Sequence, residues 1–365
     1  MTRIHLRGTV LPDGVVRDVF VTDEGTISFD GSVADARTMF EGGVLIPGLV
    51  DAHAHLGLAS PAPSTSSPEE QVRASARAQL AAGVLAIREP GGPHHASAGI
   101  DPGEGLPRVF AAGRFLAPPG GYIPGLAREV SEDELPDAAV EELVAGGGGW
   151  AKVIGDWFGP DARLRPNFGS DALAETARRV HDAGGRVAVH SSQPELIDAA
   201  IDAGFDSLEH CTDLTEERVA RIAERGITIV PTMVIYSDLV GFLHQFGAPQ
   251  DEIARMASGL ERAPAMIRLA DETGVRVLAG TDAGMGPHGL VREEIRNLAQ
   301  AGVATARAIG AGSWDARRFL GLPGIEEGAP ADLVGFDRDP LEDLGVLANP
   351  QVVVLDGRLV RGPDV

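Results

Sequence analysis

The chain has 365 residues, 44% of them hydrophobic, which is enough for one large domain with a smaller domain beside it. Its formal net charge of −22 disfavours nucleic acid and anionic membranes as partners, because both are negatively charged. The single cysteine, Cys211, cannot form an intramolecular disulfide. The sequence has no apolar run of membrane-spanning length and no apolar segment typical of a secretory signal. These features predict a cytoplasmic protein.

Short strands separated by turns are predicted at both ends of the chain. The dipeptides Asp13-Gly14 and Glu24-Gly25 lie between apolar runs and favour hairpins. Because chain termini often lie close together, we predict that residues 1–44 and 324–365 form one small β-sandwich domain. The predicted strands are 3–10, 15–22, 26–29, 332–337, 352–355 and 358–361.

Residues 45–323 alternate between strand and helix patterns. Such alternation predicts an α/β fold with a parallel sheet, and eight units of this length predict a closed (β/α)8 TIM barrel. The predicted strands are 44–55, 84–88, 108–116, 150–155, 186–190, 207–210, 228–233 and 276–280. The predicted helices are 68–82 (with Ser67 as N-cap), 132–144, 170–183, 194–203, 215–224, 251–273 and 291–301.

Histidines cluster where the predicted barrel strands end, which is where barrels of this kind carry their active sites. Only three of the ten histidines fall elsewhere, namely His5, His181 and His244. A single histidine is more often structural than functional, but a random scatter does not explain the whole set. The seven at or after strand ends are His53, His55, His94, His95, His190, His210 and His288.

The local sequence His53-Ala54-His55 is the sharpest signal in this set. Side chains at positions i and i+2 of a strand point to the same face, about 6–7 Å apart along the backbone. Two such imidazoles can bind one metal ion. On its own the pattern is weak, but here it follows an apolar strand directed at the barrel mouth.

Lys152 is the only lysine beside 30 arginines. Strand alternation puts Trp150, Lys152 and Ile154 on one face, and a barrel strand has no solvated face. A desolvated amine has a lowered pKa, and a neutral amine can add CO2 to form a carbamate that bridges two metal ions. Arginine cannot do this. The alternative is that one lysine survived by chance at a solvated position.

Asp282 follows the last predicted strand in the sequence Gly280-Thr281-Asp282-Ala283-Gly284. Its carboxylate could bind a metal and accept a proton from water, which makes it the candidate catalytic residue. The alternative is a helix N-cap.

Together these motifs resemble the metal-ligand motifs of the amidohydrolase superfamily, and the likeness extends over essentially the whole chain. Within it, the sequence is most similar to the imidazolonepropionase-like and Xaa-Pro-dipeptidase-like branch. The residues that carry the resemblance are 47–55, Lys152, His190, Ser207-Leu208-Glu209-His210, 280–284 and the tail sequence 328–334.

The resemblance implies two divalent metal ions, with zinc the expected metal, although Mn, Fe, Co or Ni also suit such ligands. His53, His55 and Asp282 would bind the first ion. His190 and His210 would bind the second, and a CO2-derived carbamate on Lys152 would bridge the two. In one departure, Gly120-Gly121-Tyr122 stands where that branch often has Gly-Gly-His, whose histidine contacts substrate.

Five residues near strand ends are candidates for substrate binding: Tyr122, Tyr236, His288, Arg88 and Trp157. The tyrosines could bind a substrate oxygen, or pack in loops. Trp157 could form an apolar wall. Arg88, like Arg114, could hold a substrate carboxylate or form a structural ion pair. Cys211 is expected to be buried and inert.

The predicted function is hydrolysis of an amide or peptide-like C–N bond by metal-activated hydroxide, with a small molecule as the partner. A dipeptide, an N-acyl amino acid and a lactam all fit. One alternative is a mononuclear deaminase or cyclic-amide hydrolase, which does not need Lys152. Another is a binding protein on the same fold, disfavoured because all six ligand positions are filled. A homo-oligomer is expected.

Overall fold

The computed structural model describes residues 3–31 and 36–363. Residues 1–2, 32–35 and 364–365, which belong to the predicted terminal domain, lie outside the described residues. The strands are β1 (Ile4–Val10), β2 (Val15–Val21), β3 (Ile27–Ser28), β4 (Arg37–Pro47), β5 (Leu49–Asp51), β6 (Val84–Glu89), β7 (Arg108–Ala111), β8 (Phe115–Ala117), β9 (Ala127–Glu129), β10 (Trp150–Ile154), β11 (Asp156–Phe158), β12 (Leu164–Pro166), β13 (Arg186–Ser191), β14 (Ser207–His210), β15 (Thr228–Val230), β16 (Arg276–Val277), β17 (Leu333–Phe336), β18 (Val352–Leu355) and β19 (Arg358–Arg361).

The α-helices are α1 (Pro68–Ala81), α2 (Leu135–Gly146), α3 (Ser170–Asp182), α4 (Pro194–Ala203), α5 (Glu216–Arg225), α6 (Tyr236–Gln245), α7 (Gln250–Glu272), α8 (Val291–Gln300), α9 (Thr305–Ala311) and α10 (Trp314–Phe319). All seven helices expected from the sequence are present. Ser67 caps α1 as predicted, and Glu70 completes a capping box with it. No helix of the described residues is both long and apolar enough to span a bilayer.

Both ends of the chain meet in one mixed sheet of seven strands, in the order β19-β18-β17-β4-β1-β2-β3. The tail strand β17 pairs antiparallel with β4, which pairs parallel with β1. The pairing of the two chain ends is therefore confirmed. A second sheet facing this one is not found among the described strands, so the β-sandwich is not confirmed.

Parallel strands make up the α/β part of the molecule. They lie in two sheets, β5-β6-β7 and β16-β15-β14-β13-β10-β8-β9. Isolated parallel bridges lie between the sheets, joining Ala54 to Ala283 and Gly92 to Arg114. The α/β class is confirmed, whereas a closed ring of strands is not found among the described residues.

Two of the predicted strands are divided in the structure. The predicted strand 44–55 breaks at Gly48, so that β4 joins the terminal sheet and β5 pairs with β6. A Cβ at Gly48 would lie 2.4 Å from Leu85 Cδ1, so only glycine fits this crossing. The predicted strand 108–116 is likewise divided into β7 and β8.

The main apolar core lies between the parallel strands and the helices that cover them. In β10, Ala151 and Val153 belong to this core, whereas Lys152 and Ile154 line a cavity on the opposite face. The alternation predicted for this strand is confirmed. Strand geometry therefore turns Lys152 away from the helices.

Candidate metal centre

His53 and His55 lie just past the end of β5, with their rings edge to face and nearly perpendicular, at an interplanar angle of 86°. Their Nε2 atoms are 3.2 Å apart. The second nitrogen of each ring is engaged elsewhere: Nδ1 of His53 lies 2.6 Å from Glu209 Oε2, and Nδ1 of His55 lies 2.7 Å from the carbonyl oxygen of Gly91. Such contacts fix the ring orientation and leave both Nε2 atoms to bind a common ligand.

Asp282 brings its carboxylate to the same point. Its Oδ1 lies 3.3 Å from His53 Nε2 and 3.1 Å from His55 Nε2. Burial disfavours the ionised carboxylate, but the hydrogen bonds with the two histidines outweigh burial and hold the pKa of Asp282 well below its ordinary value. Asp282 has a φ of +53°, a conformation that an aspartate adopts at a cost. Asp282 thus lies among the clustered histidines, and no helix of the described residues begins beside it.

His210 and His190 complete a group of four imidazoles. The ring centre of His210 is 4.9 Å from that of His53 and 4.5 Å from that of His190. His210 Nδ1 lies 2.8 Å from the hydroxyl oxygen of Thr232, which leaves Nε2 free to bind. Burial lowers the pKa of His190 to about 3 and that of His210 well below 6.5. Both rings are thus neutral, the form that binds metal.

These side chains fit a metal ion. One ligand atom from each of His53, His210 and Asp282 lies within 4.8 Å of the others. Imidazole nitrogens with a carboxylate are a donor set that zinc and related divalent ions prefer. The structure thus brings together the five predicted histidine and aspartate ligands.

Lys152 faces the same cavity and is only 1% exposed. Its Nζ is buried and has no hydrogen-bond partner among the described residues. Burial lowers the pKa of Lys152 to about 8, although the nearby Glu209 carboxylate opposes this. An ammonium without a partner is costly to bury, so the neutral amine, or a modified one, forms more readily here than at a solvated lysine.

Glu209 supports the cluster from behind and was not singled out in the sequence analysis. Both of its oxygens accept hydrogen bonds from Arg88 Nη2, at 2.8 and 2.7 Å. Ser207 donates a further hydrogen bond to Oε1 at 2.6 Å. Arg88 and Glu209 are each 0% exposed, so they form a fully buried ion pair that also holds His53. Their signal in the sequence was one acidic and one basic residue, each within a predicted strand, although the two residues are 121 positions apart.

Two further carboxylates were also missed. Asp51 accepts hydrogen bonds from the Thr281 hydroxyl at 2.6 Å and from the His53 amide at 3.2 Å, and so couples the two loops that carry ligands. Asp156 accepts from the amides of Ser192 and Gln193 and places its other oxygen 3.5 Å from His190 Nε2. Burial raises the pKa of Asp156 to about 7.

A cavity of about 190 Å³ extends from the cluster. Its wall beyond the candidate ligands is mainly apolar, with a few polar side chains. The aromatic side chains of the wall are Phe115, Tyr122, Trp157, Phe158 and Phe242.

The predicted substrate-binding residues divide into two groups. Tyr122 and Trp157 line the cavity, with ring centres 4.7 Å apart. Tyr236, His288 and Arg88 do not line it. Tyr236 donates its hydroxyl hydrogen to the His210 carbonyl oxygen at 3.1 Å, and His288 Nε2 lies 3.1 Å from the Leu58 carbonyl oxygen. Arg88 forms an ion pair with Glu209, which is the structural role that the sequence analysis gave as the alternative to substrate binding.

Cys211 is 1% exposed, and burial raises the pKa of its thiol to about 12. It belongs to the main core, as expected for an inert cysteine. His95 lies away from the cluster, with Nε2 2.6 Å from Glu142 Oε2.

Comparisons with known proteins agree with this arrangement. The amidohydrolase family model matches residues 44–360. An uncharacterized protein of Mycobacterium tuberculosis is 37% identical over 358 residues, which cover 98% of this chain and 95% of that protein. Ochratoxinase of Aspergillus niger is 28% identical over 212 residues, covering 55% of this chain and 44% of the enzyme.

Solved structures show the same fold. That of a Xaa-Pro dipeptidase with bound methionine matches with a TM-score of 0.81 at 24% identity, over 99% of this chain and 100% of the other. That of A. niger ochratoxinase matches with a TM-score of 0.82 at 22% identity, over 100% and 96%. Because the family match extends over most of its length, this chain belongs to the amidohydrolase family and is, as predicted, a hydrolase acting on C–N bonds.

Proposed function

We propose that this protein is a metal-dependent hydrolase that cleaves an amide or peptide-like C–N bond in a small molecule. The observation that carries the proposal is the convergence of His53, His55, His210 and Asp282 beside the unpartnered amine of Lys152. The Xaa-Pro dipeptidase and ochratoxinase neighbours support amide chemistry. Dipeptides, N-acyl amino acids and other small amides are the candidate substrates.

The proposed centre is a pair of zinc ions. His53, His55 and Asp282 would hold one ion and His190 and His210 the other, with Lys152 shared between them as a carbamate. The support is the close approach of the imidazoles to the Asp282 carboxylate, the lowered pKa of His190 and His210, and the buried, unpartnered amine of Lys152. The same proposal includes a closed (β/α)8 barrel over residues 45–323 and a β-sandwich domain formed by the chain ends. It also includes a homo-oligomer and a cytoplasmic location.

Divalent ions bound here would supply Lewis acidity and lower the pKa of a water molecule. Asp282 would accept a proton from that water and deliver it to the leaving nitrogen, acting first as a general base and then as a general acid. The ring contacts of His53 and His55 hold the imidazoles in place during this transfer. Tyr122 and Trp157 would position the substrate in the cavity.

Lys152 offers a test with little background, because the chain has no other lysine. The untagged protein is loaded with zinc in ¹³C-bicarbonate and compared with Lys152→Met. We expect one carbamate signal in ¹³C NMR and about two metal ions per chain by mass spectrometry. The variant should lose the signal, fall to about one ion, and lose most amide hydrolysis.

One ion in both proteins and no carbamate signal would contradict the bridged pair. It would favour a mononuclear deaminase or cyclic-amide hydrolase that uses His53, His55, one further histidine and Asp282. Absence of bound metal in both proteins, together with no hydrolysis of any amide, would reject the proposed function.

A further inference from the structure

We propose that the substrate is a neutral or cationic amide with an aromatic or bulky apolar group, and that amides with a free carboxylate bind poorly. This inference rests on the proposed function and narrows its substrate class. The reaction is hydrolysis: the oxygen of water bonds to the carbonyl carbon, the C–N bond breaks, and a proton passes to the leaving nitrogen. The products are a carboxylate and an amine.

The first observation is the absence of a cationic anchor. Within the described ranges, no arginine lines the cavity, and Lys152 is its only lysine. The nearby guanidinium groups are engaged elsewhere: Arg88 pairs with the buried Glu209, and Arg163 pairs with Asp251. A substrate carboxylate away from the proposed metal ions would leave water without a cationic side chain to pair with, which is unfavourable. An anionic group in this cavity would therefore be disfavoured.

The second observation is a negative charge in the cavity wall. Asp238, on α6, lines the cavity and is exposed to solvent. Its hydrogen bond from the Ser237 hydroxyl is long, at 3.4 Å, and no cation pairs with it among the described residues. Its carboxylate would repel an anionic substrate and attract a cationic one.

The third observation is an aromatic cluster around Trp157. Its ring centre lies 4.7 Å from that of Tyr122, 6.4 Å from Phe242 and 6.1 Å from Phe246. The rings of Tyr122 and Phe246 meet it edge to face, a geometry that favours a further aromatic group against the exposed face or edge. Phe246 is 44% exposed, so the cluster extends from the cavity wall to the protein surface. The phenol of Tyr122, which also lines the cavity, supplies no positive charge.

A charge series of substrates tests the inference. Acetanilides with a para-ethyl, para-carboxymethyl or para-aminomethyl group differ in charge, while a methylene insulates the amide from the substituent. With the metal-loaded enzyme, we expect kcat/KM for the neutral and cationic compounds to exceed that for the anionic one by about tenfold or more. Asp238→Asn should raise kcat/KM for the anionic compound severalfold relative to the cationic one. The matched control Glu261→Gln removes one charge from an exposed residue of α7 and should leave the ratio unchanged.

Binding is measured separately with the matched phenylacetones, in which a CH2 group replaces the amide N–H so that no hydrolysis occurs. Calorimetric titration should give the same order of affinities. An anionic compound that is bound and hydrolysed as well as the neutral one would overturn the inference while leaving the proposed function in place. Failure of all three phenylacetones to bind would also overturn it. Ordered binding with no hydrolysis of any amide would support the charge preference and reject the proposed function.

Discussion

At the scale of single residues, the candidate metal centre depends on carboxylates that bind no substrate. The pair of Arg88 and Glu209 is fully buried, and Glu209 also contacts Nδ1 of His53. Removing one partner of such a pair leaves an uncompensated charge, which costs about 3–5 kcal/mol. Arg88 therefore acts on the site through Glu209 and His53, and a loss of activity in Arg88 variants would not by itself indicate substrate binding.

Glu89 gives the stability of the protein a specific dependence on pH. It is 1% exposed, accepts a hydrogen bond from the Leu56 amide at 2.8 Å, and receives the Ser97 hydroxyl. Burial raises its pKa from 4.5 to about 7. Between these values the folded state keeps a proton that the unfolded state has lost, so the contribution of Glu89 is complete below pH 4.5 and declines as pH rises through 7.

Glu89→Gln should remove this decline, since the glutamine amide can accept from Leu56 and donate to Ser97. Urea unfolding at pH 5 and pH 8 is the measurement. We expect the free energy of unfolding of the variant, relative to wild type, to increase by about 2–3 kcal/mol between the two pH values. The exposed control Glu261→Gln should show no such change. Equal slopes for Glu89→Gln and wild type would mean that Glu89 is ionised in the folded protein.

The sequence analysis singled out the candidate metal ligands but not the buried side chains, such as Glu209, that hold those ligands in place. His53, His55 and Asp282 follow from residue type and from position at or after strand ends, and Lys152 follows from being the only lysine and from lying inside a barrel strand. Glu209 did not follow, because alternation along β14 places neighbouring side chains on opposite faces. The φ of +69° at His210 turns the backbone, so that both Glu209 and His210 reach the cluster. Sequence periodicity does not show such a left-handed residue.

At the scale of elements, a continuous apolar sequence does not show where the chain passes from one sheet into another. Residues 44–51 are buried throughout, and hydrophobicity does not distinguish β4 in one sheet from β5 in another. Gly48 marks the change, but only the structure shows the Leu85 side chain against it. Helix α6, which carries Asp238 and Phe242, was not predicted either, because its short apolar sequence lacks a strong start signal.

Gly280 shows how closely two elements approach at the site. A Cβ there would lie 2.5 Å from Val230 Cγ1 and 2.6 Å from His53 Cβ. Gly280→Ala should therefore lower the free energy of unfolding by about 1–3 kcal/mol and weaken zinc binding by displacing His53. In the control Gly286→Ala, the added Cβ meets no atom within 4 Å, and both properties should be retained. Thermal unfolding and zinc titration measure the two effects, and unchanged zinc binding in Gly280→Ala would show that His53 need not move.

At the scale of the whole molecule, one carboxylate joins the terminal sheet to the α/β part. Asp332 is 1% exposed, and its Oδ2 accepts from Arg108 Nε at 3.1 Å and Arg317 Nη2 at 3.3 Å. Its Oδ1 accepts from the Asp356 amide at 2.8 Å. The pairing of the chain ends could be predicted from their strand patterns. The ion pair between Arg108 and Asp332 could not, because the two residues are 224 positions apart in the sequence.

Asp332→Asn should destabilise the protein by about 3–5 kcal/mol, because Arg317 is also 1% exposed and would lose its charge partner. Denaturant unfolding followed by circular dichroism measures the loss. The control Asp182→Asn, which removes an exposed pair with Arg178, should cost less than about 1 kcal/mol. Equal stability of the two variants would show that the link is dispensable.

Because Lys152 is buried, the surface of the folded protein presents no lysine side chain to reagents that modify amines. Since no other lysine exists, acylating reagents that react with amines find no side-chain target on the folded exterior, apart from a chain-terminal amine. Lys152 lies on the wall of the cavity and is only 1% exposed, so a reagent too large to enter the cavity reaches it only when the interior opens. The rate at which a bulky amine-specific dye attaches to it would therefore report the opening of the molecule at one defined atom, without any engineered probe.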